Sequence, residues 1–167
     1  MAIRARRRAR TNGAGARGAV HRFLGRAINK LDAKGRVSVP SQFRDVLTKQ
    51  GIKGFYCAPS ALAANLTGYG EDFFADIDAK LKQLSPYSAA YAAQATQAFG
   101  DVDQLEFDPE GRVRLPEHFI AHAGIQERVQ FVGLSTYFEI WNPDTYPAVH
   151  AERMAVLKRS FGQEGAP

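Results

Sequence analysis

One stretch of this chain is written twice. Asp32-Ala33-Lys34-Gly35-Arg36-Val37-Ser38-Val39-Pro40 returns 76 positions later as Asp108-Pro109-Glu110-Gly111-Arg112-Val113-Arg114-Leu115-Pro116. Asp, Gly, Arg, Val, an aliphatic residue and Pro recur in register. A Phe follows each Pro at the same distance (Phe43, Phe119), and a Gly-Ile pair follows later in each copy (Gly51-Ile52, Gly124-Ile125). The core is therefore a tandem repeat of one structural unit, and two such units carry built-in pseudo-symmetry. A doubled basic hairpin suits a partner that itself repeats, and double-stranded DNA is the first candidate.

The repeat dictates local structure. Asp32 to Gly35 has Asp at the first turn position and Gly at the last, a type I turn signature. Asp108-Pro109-Glu110-Gly111 adds Pro at the second position. Each turn feeds an alternating strand, Arg36 to Val39 and Arg112 to Leu115. Pro40 and Pro116 end those strands and suit the first turn of a helix. Short helices are expected near 41–49 and 117–123, closed by Gly51 and Gly124. Strands are expected near 54–58, 128–133 and 137–141, with a weaker equivalent of the last around 63–67. Residues 71–84 place Phe74, Ile77, Leu81 and Leu84 on one helical face, with acids early and lysines late. Pro86 is expected to open an Ala-rich helix to about Phe99. Asn142 is expected to cap a last helix, with Pro143 at its first position, to about Phe161.

Composition narrows the function classes. The 167 residues have room for one domain or two small ones. No apolar run approaches the ~20 residues of a membrane span, so no membrane partner is expected. A lone cysteine, Cys57, excludes an internal disulfide and suits a reducing, cytoplasmic setting. The net charge of +5 is deceptive. Residues 1–22 hold seven arginines and no acid, so the rest of the chain carries 15 bases against 17 acids. Residues 23–53 have seven bases and two acids, whereas residues 54–111 have two bases and nine acids. A basic first hairpin and an acidic middle give two electrical faces. Residues 1–20, rich in Arg, Ala and Gly, read as a disordered extension, either a nucleic-acid arm or an upstream extension of the reading frame.

Phe23-Leu24-Gly25, Leu31 to Pro40, Phe43-Arg44, Asp108 to Pro116 and Phe138-Glu139-Ile140-Trp141 closely resemble the MraZ family of bacterial transcriptional regulators. The likeness covers about residues 22–160. Residues 1–20 depart from the family pattern, as does the segment 61–70, which lacks the aromatic strand of 137–141. The resemblance implies a β-rich α+β fold of tandem AbrB/SpoVT-like swapped-hairpin units (double-split β-barrels) with flanking helices. The expected layout is an extension over 1–21, a first unit over 22–99 and a second over 100–167. The resemblance also implies a ring-shaped homo-oligomer, nucleoid association, and DNA binding at repeats upstream of the cell-division and cell-wall gene cluster. A repressor role is expected.

The candidate DNA-contacting residues are Lys30, Lys34, Arg36, Arg44, Arg112 and Arg114. Lys34 lies at a hairpin tip and Arg36 opens the following strand; cations on a projecting two-stranded ribbon can meet phosphates, and such a ribbon fits the major groove. Arg36 could also fork onto a guanine edge. Asp32, Gly35, Asp108 and Gly111 are assigned to the turns. Two other readings stand beside DNA contact: Asp32 and Arg36 flank one turn and could simply pair, or an Asp–Arg pair could brace a subunit joint. The second tip carries Glu110 where the first has Lys34, which suits phosphate less.

Catalytic, metal and cofactor chemistry find little support. His118 and His122 have the i, i+4 spacing of metal ligands, but Phe119 stands where a zincin needs Glu and no third ligand is near. Asp101, Asp103, Glu106, Asp108 and Glu110 lack the calcium-loop pattern and read as a solvated edge or a partner for a basic surface. Cys57 reads as core. Phe73, Phe74, Phe107, Phe131, Phe138 and Trp141 read as core or subunit joint rather than a base-stacking platform. No phosphate loop, dinucleotide fingerprint or catalytic triad is present, so no enzyme and no cofactor are expected. Two rival readings are an antitoxin-like module whose partner is a protein docking on 101–110, and an enzyme built on His118, His122 and the acids.

Overall fold

A computed structural model describes residues 21–163; the reading of residues 1–20 lies outside them. Eight strands and five α-helices run in the order β1 (Arg26–Lys30), β2 (Arg36–Ser38), α1 (Ser41–Lys49), β3 (Gly54–Pro59), β4 (Leu66–Tyr69), α2 (Asp72–Leu81), α3 (Ala89–Ala95), β5 (Asp103–Glu106), β6 (Arg112–Arg114), α4 (Glu117–His122), β7 (Arg128–Gly133), β8 (Phe138–Trp141) and α5 (Tyr146–Gln163). The strand-rich α+β class follows the sequence.

Six strands form one antiparallel sheet in the order β1-β7-β8-β4-β3-β5, and β2 pairs with β6 as a separate ribbon. The sheet order reads the same from either end once each strand is exchanged for its counterpart in the other repeat. The first strand of each repeat hydrogen-bonds to the third strand of the other: Lys30 faces Arg128 in one pairing, and Gly54 faces Glu106 in the other. The two repeats thus share one sheet, because a lone two-stranded hairpin buries too little to stand in water. The pseudo-two-fold passes between Val37 and Val113 in the ribbon and between Thr67 and Glu139 in the sheet.

The alternation expected of β2 and β6 puts Val37 and Val113 into the core, at 0% and 1% exposure. Pro40 and Pro116 both adopt extended backbone and start α1 and α4, each of which buries its Phe (Phe43, Phe119). Gly51 and Gly124 end them in the left-handed region. The centre of the core is Phe138. Its ring lies 4.9 Å from Phe23, 5.1 Å from Phe43 and 5.1 Å from Phe55, all tilted or edge-on, the arrangement the ring quadrupoles favour. Gly68 lies opposite Phe138 on β4, and a Cβ there would come 2.4 Å from the ring. The departure at 61–70 is thereby explained: the first repeat's strand is plain because it must make room for the second repeat's aromatic. That strand, β4, forms at 66–69, a few residues beyond the expected 63–67.

Two helical expectations need correction. The Ala-rich segment opens at Ser88, whose Oγ accepts from the Tyr91 N–H at 3.1 Å, not at Pro86. Its last turn, Thr96–Gly100, is π-helical. Asn142 does not cap α5; its Oδ1 accepts from the Asp144 N–H in a local turn, and α5 begins at Tyr146. Asx side chains close such turns as readily as they cap helices. Phe131, Phe138, Trp141 and Cys57 are buried, while Phe73, Phe74 and Phe107 are half-buried. Among the described residues, no helix is long and apolar enough to cross a membrane.

Gly68→Ala should destabilise the fold by ~1–3 kcal/mol through overpacking against Phe138. Phe138→Ala should cost ~3–5 kcal/mol. Urea unfolding monitored through Trp141 fluorescence checks both.

Candidate nucleic-acid interface

Both repeated turns use the same construction. The Asp32 carboxylate accepts from the backbone N–H of Lys34 at 2.9 Å and of Arg36 at 2.8 Å, and from Arg36 Nε at 2.7 Å. Asp108 accepts in the same way from Glu110 and Arg112, with Arg112 Nε at 2.8 Å. The Gly35 and Gly111 N–H groups donate to the Asp carbonyls at 3.0 Å, and both glycines sit at φ 76°. A left-handed residue after a type I turn gives the bulge that matches strand twist. The Asp-x-x-Gly-Arg pattern is thus a self-contained turn: one carboxylate, three N–H donors and a glycine.

Pairing then fuses the two turns into one feature. In the β2–β6 ribbon Arg36 faces Arg114 and Ser38 faces Arg112. Because Val37 and Val113 point inward, these four residues share the opposite, outward face. Backbone bonds from Val39 to Gly111 and from Leu115 to Gly35 extend the ribbon at both ends. The strands run antiparallel, so the two turns sit at opposite ends. Three arginines therefore line one short two-stranded ribbon, although the repeats that supply them are 76 residues apart.

The six sequence candidates fall into three groups. Lys34, Arg114 and Lys30 are exposed and, among the described residues, have no carboxylate at ion-pair distance. Lys34 and Arg114 line one surface concavity with Glu117 and Gln126. Lys30 ends β1, just before the first turn. Arg36 and Arg112 are half-buried and each pairs with its own turn's aspartate. Arg44 is half-buried on α1; its Nε donates to the Val39 carbonyl at 3.2 Å, and its guanidinium lies over Gly111. The local Asp–Arg pairing weighed from the sequence is the geometry found.

The acidic stretch divides. Asp103 and Glu106 are exposed on β5, at one edge of the sheet, whereas Asp108 belongs to its turn and Glu110 reaches Arg112 Nη2 at 3.2 Å. His118 and His122 face different partners: His118 Nε2 is 3.8 Å from Asp103, and His122 Nε2 is 3.3 Å from the Ala63 carbonyl. Among the described residues, no group of three or more His, Cys, Asp and Glu could hold a metal ion. Cys57 is fully buried, and desolvation pushes its thiol pKa far up, away from nucleophilic use.

Sequence reasoning missed one polar cluster. Glu139, 7% exposed, accepts from Trp141 Nε1 at 2.8 Å and from both Arg153 terminal nitrogens at 2.8 and 2.9 Å. Arg153 also lies 5.7 Å from the Trp141 ring centre. This bidentate pair ties α5 to β8. Glu139 stands between Phe138 and Ile140, where strand alternation alone would turn it toward solvent.

A model of the family described as "MraZ protein, putative antitoxin-like" matches residues 98–161. The chain is similar to the transcriptional regulator MraZ of Xanthobacter autotrophicus, 42% identical over 144 residues, covering 84% of this chain and 92% of the relative. The protein of the same name from Azorhizobium caulinodans is 40% identical over 144 residues, with the same coverage of both chains. That of Rickettsia bellii is 39% identical over 140 residues, covering 82% of this chain and 93% of the relative.

The two turns set an acid limit for the ribbon. Backbone N–H donation, from Arg36 to Asp32 and from Arg112 to Asp108, is the chief reason both carboxyls lie below their ordinary value of 3.8. A folded-state pKa below the unfolded one stabilises the fold above the unfolded value, and that contribution is lost as pH falls through the folded value. Asp32→Asn and Asp108→Asn should lower the melting temperature at neutral pH. Their gap to the parent protein should close as pH drops below the ordinary carboxylate range, which a thermal-melt series in pH checks.

Proposed function

Because the chain belongs to the MraZ family of transcriptional regulators, we propose that it is a sequence-specific DNA-binding regulator whose β2–β6 ribbon meets the duplex. The observation that carries this reading is the outward ribbon face, which brings together Arg36, Arg112 and Arg114 from both repeats and carries Lys34 at its first turn. A two-stranded ribbon fits the major groove, and exposed Lys and Arg neutralise phosphate there. Lys34, Lys30 and Arg114 supply phosphate contacts. Arg36 and Arg112, held by their turn aspartates, set register or read a base edge with their terminal nitrogens. Arg44 supports the second turn.

The same reading takes the protein as a repressor, in the cytoplasm and on the nucleoid, that occupies promoter-proximal repeats upstream of the cell-division and cell-wall gene cluster. The exchange of strands between repeats supports tandem AbrB-like swapped-hairpin units, divided between residues 99 and 100. Several protomers in one ring would engage consecutive repeats, and effective concentration would supply affinity that one ribbon lacks. A second reading, a protein-binding module, draws on the antitoxin-like description of the matched family and on the exposed acids of edge strand β5.

Fluorescence anisotropy of the full chain on a duplex from upstream of its own gene, with a scrambled duplex as control, tests the proposal across a salt series. Lys34→Ala and Arg114→Ala, both at exposed positions, should each weaken binding about three- to tenfold and lower the salt slope by about one. Equal binding to both duplexes, or unchanged affinity and slope in both variants, would reject the DNA reading and favour the protein partner.

A further inference from the structure

The ribbon is symmetric in backbone but not in charge. Position 34 in the first turn corresponds to 110 in the second, and 38 corresponds to 114. At the end of the first turn the ribbon carries Lys34, Arg36 and, from the facing strand, Arg114, against the single carboxylate of Asp32. At the other end Ser38 replaces the second arginine and Glu110 replaces the lysine. Arg112 there has two carboxylate partners, Asp108 at 2.8 Å on Nε and Glu110 at 3.2 Å on Nη2. Arg36, its counterpart, has Asp32 alone among the described residues. The terminal nitrogens that Arg36 leaves open are, on Arg112, partly taken by Glu110.

Charges beside the ribbon are mixed: exposed Lys30 precedes the first turn and exposed Glu106, its counterpart, the second, in the same sense as this contrast, while others run against it. Arg44 lies over Gly111 and Lys53 precedes β3 at the second end, while Glu117 lines the concavity with Lys34 at the first, where the backbone carbonyl of Glu127 accepts the Leu31 N–H. On the outward face of the ribbon itself, Glu110, 71% exposed at its side chain and paired with Arg112, is the acid whose counterpart, Lys34, is a base.

We propose that Glu110 is a specificity-determining residue: it occupies Arg112 and repels phosphate at the second turn, so that DNA is held from the Lys34 end and the protomer lies on the duplex in one direction. This rests on the DNA-binding reading above. A symmetric pair of basic turns would allow both orientations of the protomer on the duplex; one acid at the pseudo-equivalent position removes the alternative by unfavourable charge juxtaposition rather than by added contact.

The test uses the full chain on the upstream and scrambled duplexes. The Arg-rich leading segment is present in every variant, so differences report on the ribbon. Glu110→Gln should bind about threefold tighter and Glu110→Lys about tenfold tighter at low salt, the latter with a salt slope steeper by about one. Lys34→Glu should lose most binding. Discrimination between the two duplexes should narrow in Glu110→Lys, since a second way of seating the ribbon becomes available. Melting temperature is read alongside, and Glu110→Gln, nearly isosteric, keeps the test valid if the lysine variant unfolds. If Lys34→Ala weakens binding while both Glu110 variants match the parent in affinity, slope and discrimination, the inference is overturned and the DNA reading stands. If the parent protein does not prefer the upstream duplex and Lys34→Ala changes nothing, the DNA reading itself falls and this inference with it.

Discussion

Val37 and Val113 face each other across the pseudo-two-fold axis, both buried, and much of the molecule depends on that contact. Each belongs to a three-residue strand too short to persist alone. Their pairing forces β2 against β6, and the strand that precedes each must then reach the opposite repeat's sheet. The exchange of β1 and β5 follows, with β4 and β8 closing the middle through Leu66 and Ile140. One side of the ribbon is therefore committed to the core, which leaves the other side, with its arginines, committed to the outside. Fold and surface are two consequences of one period-two alternation.

The sequence carried the repeat clearly because turn chemistry is local. Asp, Gly and Arg at fixed offsets specify a turn whatever lies elsewhere in the chain, and the turns, helices α1 and α4 and most strands were legible for that reason. Strand partners were not. Nothing within residues 26–30 says that they pair with 128–132, since hydrogen-bonded neighbours so far apart are chosen by the whole sheet. Gly68 shows the same limit from the other side: it weakens the strand signal of β4, and its purpose is visible only in the ring of Phe138 beside it. Asn142 misled because a turn and a helix cap draw on one side-chain capability.

The candidate site was legible in its parts and not in its assembly. Arg36 and Arg112 are the obvious cations of the motif, yet they are the ones whose Nε atoms are already engaged. Lys34 and Arg114, less conspicuous, have like Lys30 no carboxylate partner among the described residues, and the two come together at one end only because the ribbon is antiparallel. Charge summed along the chain gave a basic first hairpin. It could not show that the second hairpin contributes its Arg114 to that same end.

Holding an arginine by its own turn has a cost and a gain that bear on what this face can do. A half-exposed Asp–Arg pair of this kind contributes little to stability, ~0–1 kcal/mol, and it cancels charge that would otherwise attract a polyanion. Against that, Nε and the backbone N–H groups fix the side chain at its root, so its terminal nitrogens start from a restricted set of positions. Ordering a long side chain on binding costs about 0.5–1.5 kcal/mol, and a pre-fixed arginine avoids much of it. Attraction and aim are thus divided between different residues. On the proposed reading Lys34 and Arg114, without a carboxylate partner among the described residues, would supply the salt-dependent pull, whereas Arg36, with one carboxylate partner, keeps a defined direction. In Arg112, with two, direction is retained and pull is lost. The second turn keeps its shape for the fold's sake, because Asp108 and Gly111 are what let β6 meet β2, while its tip is free to carry an acid. On the proposed reading, that freedom would let a duplicated unit become an oriented one without changing its backbone.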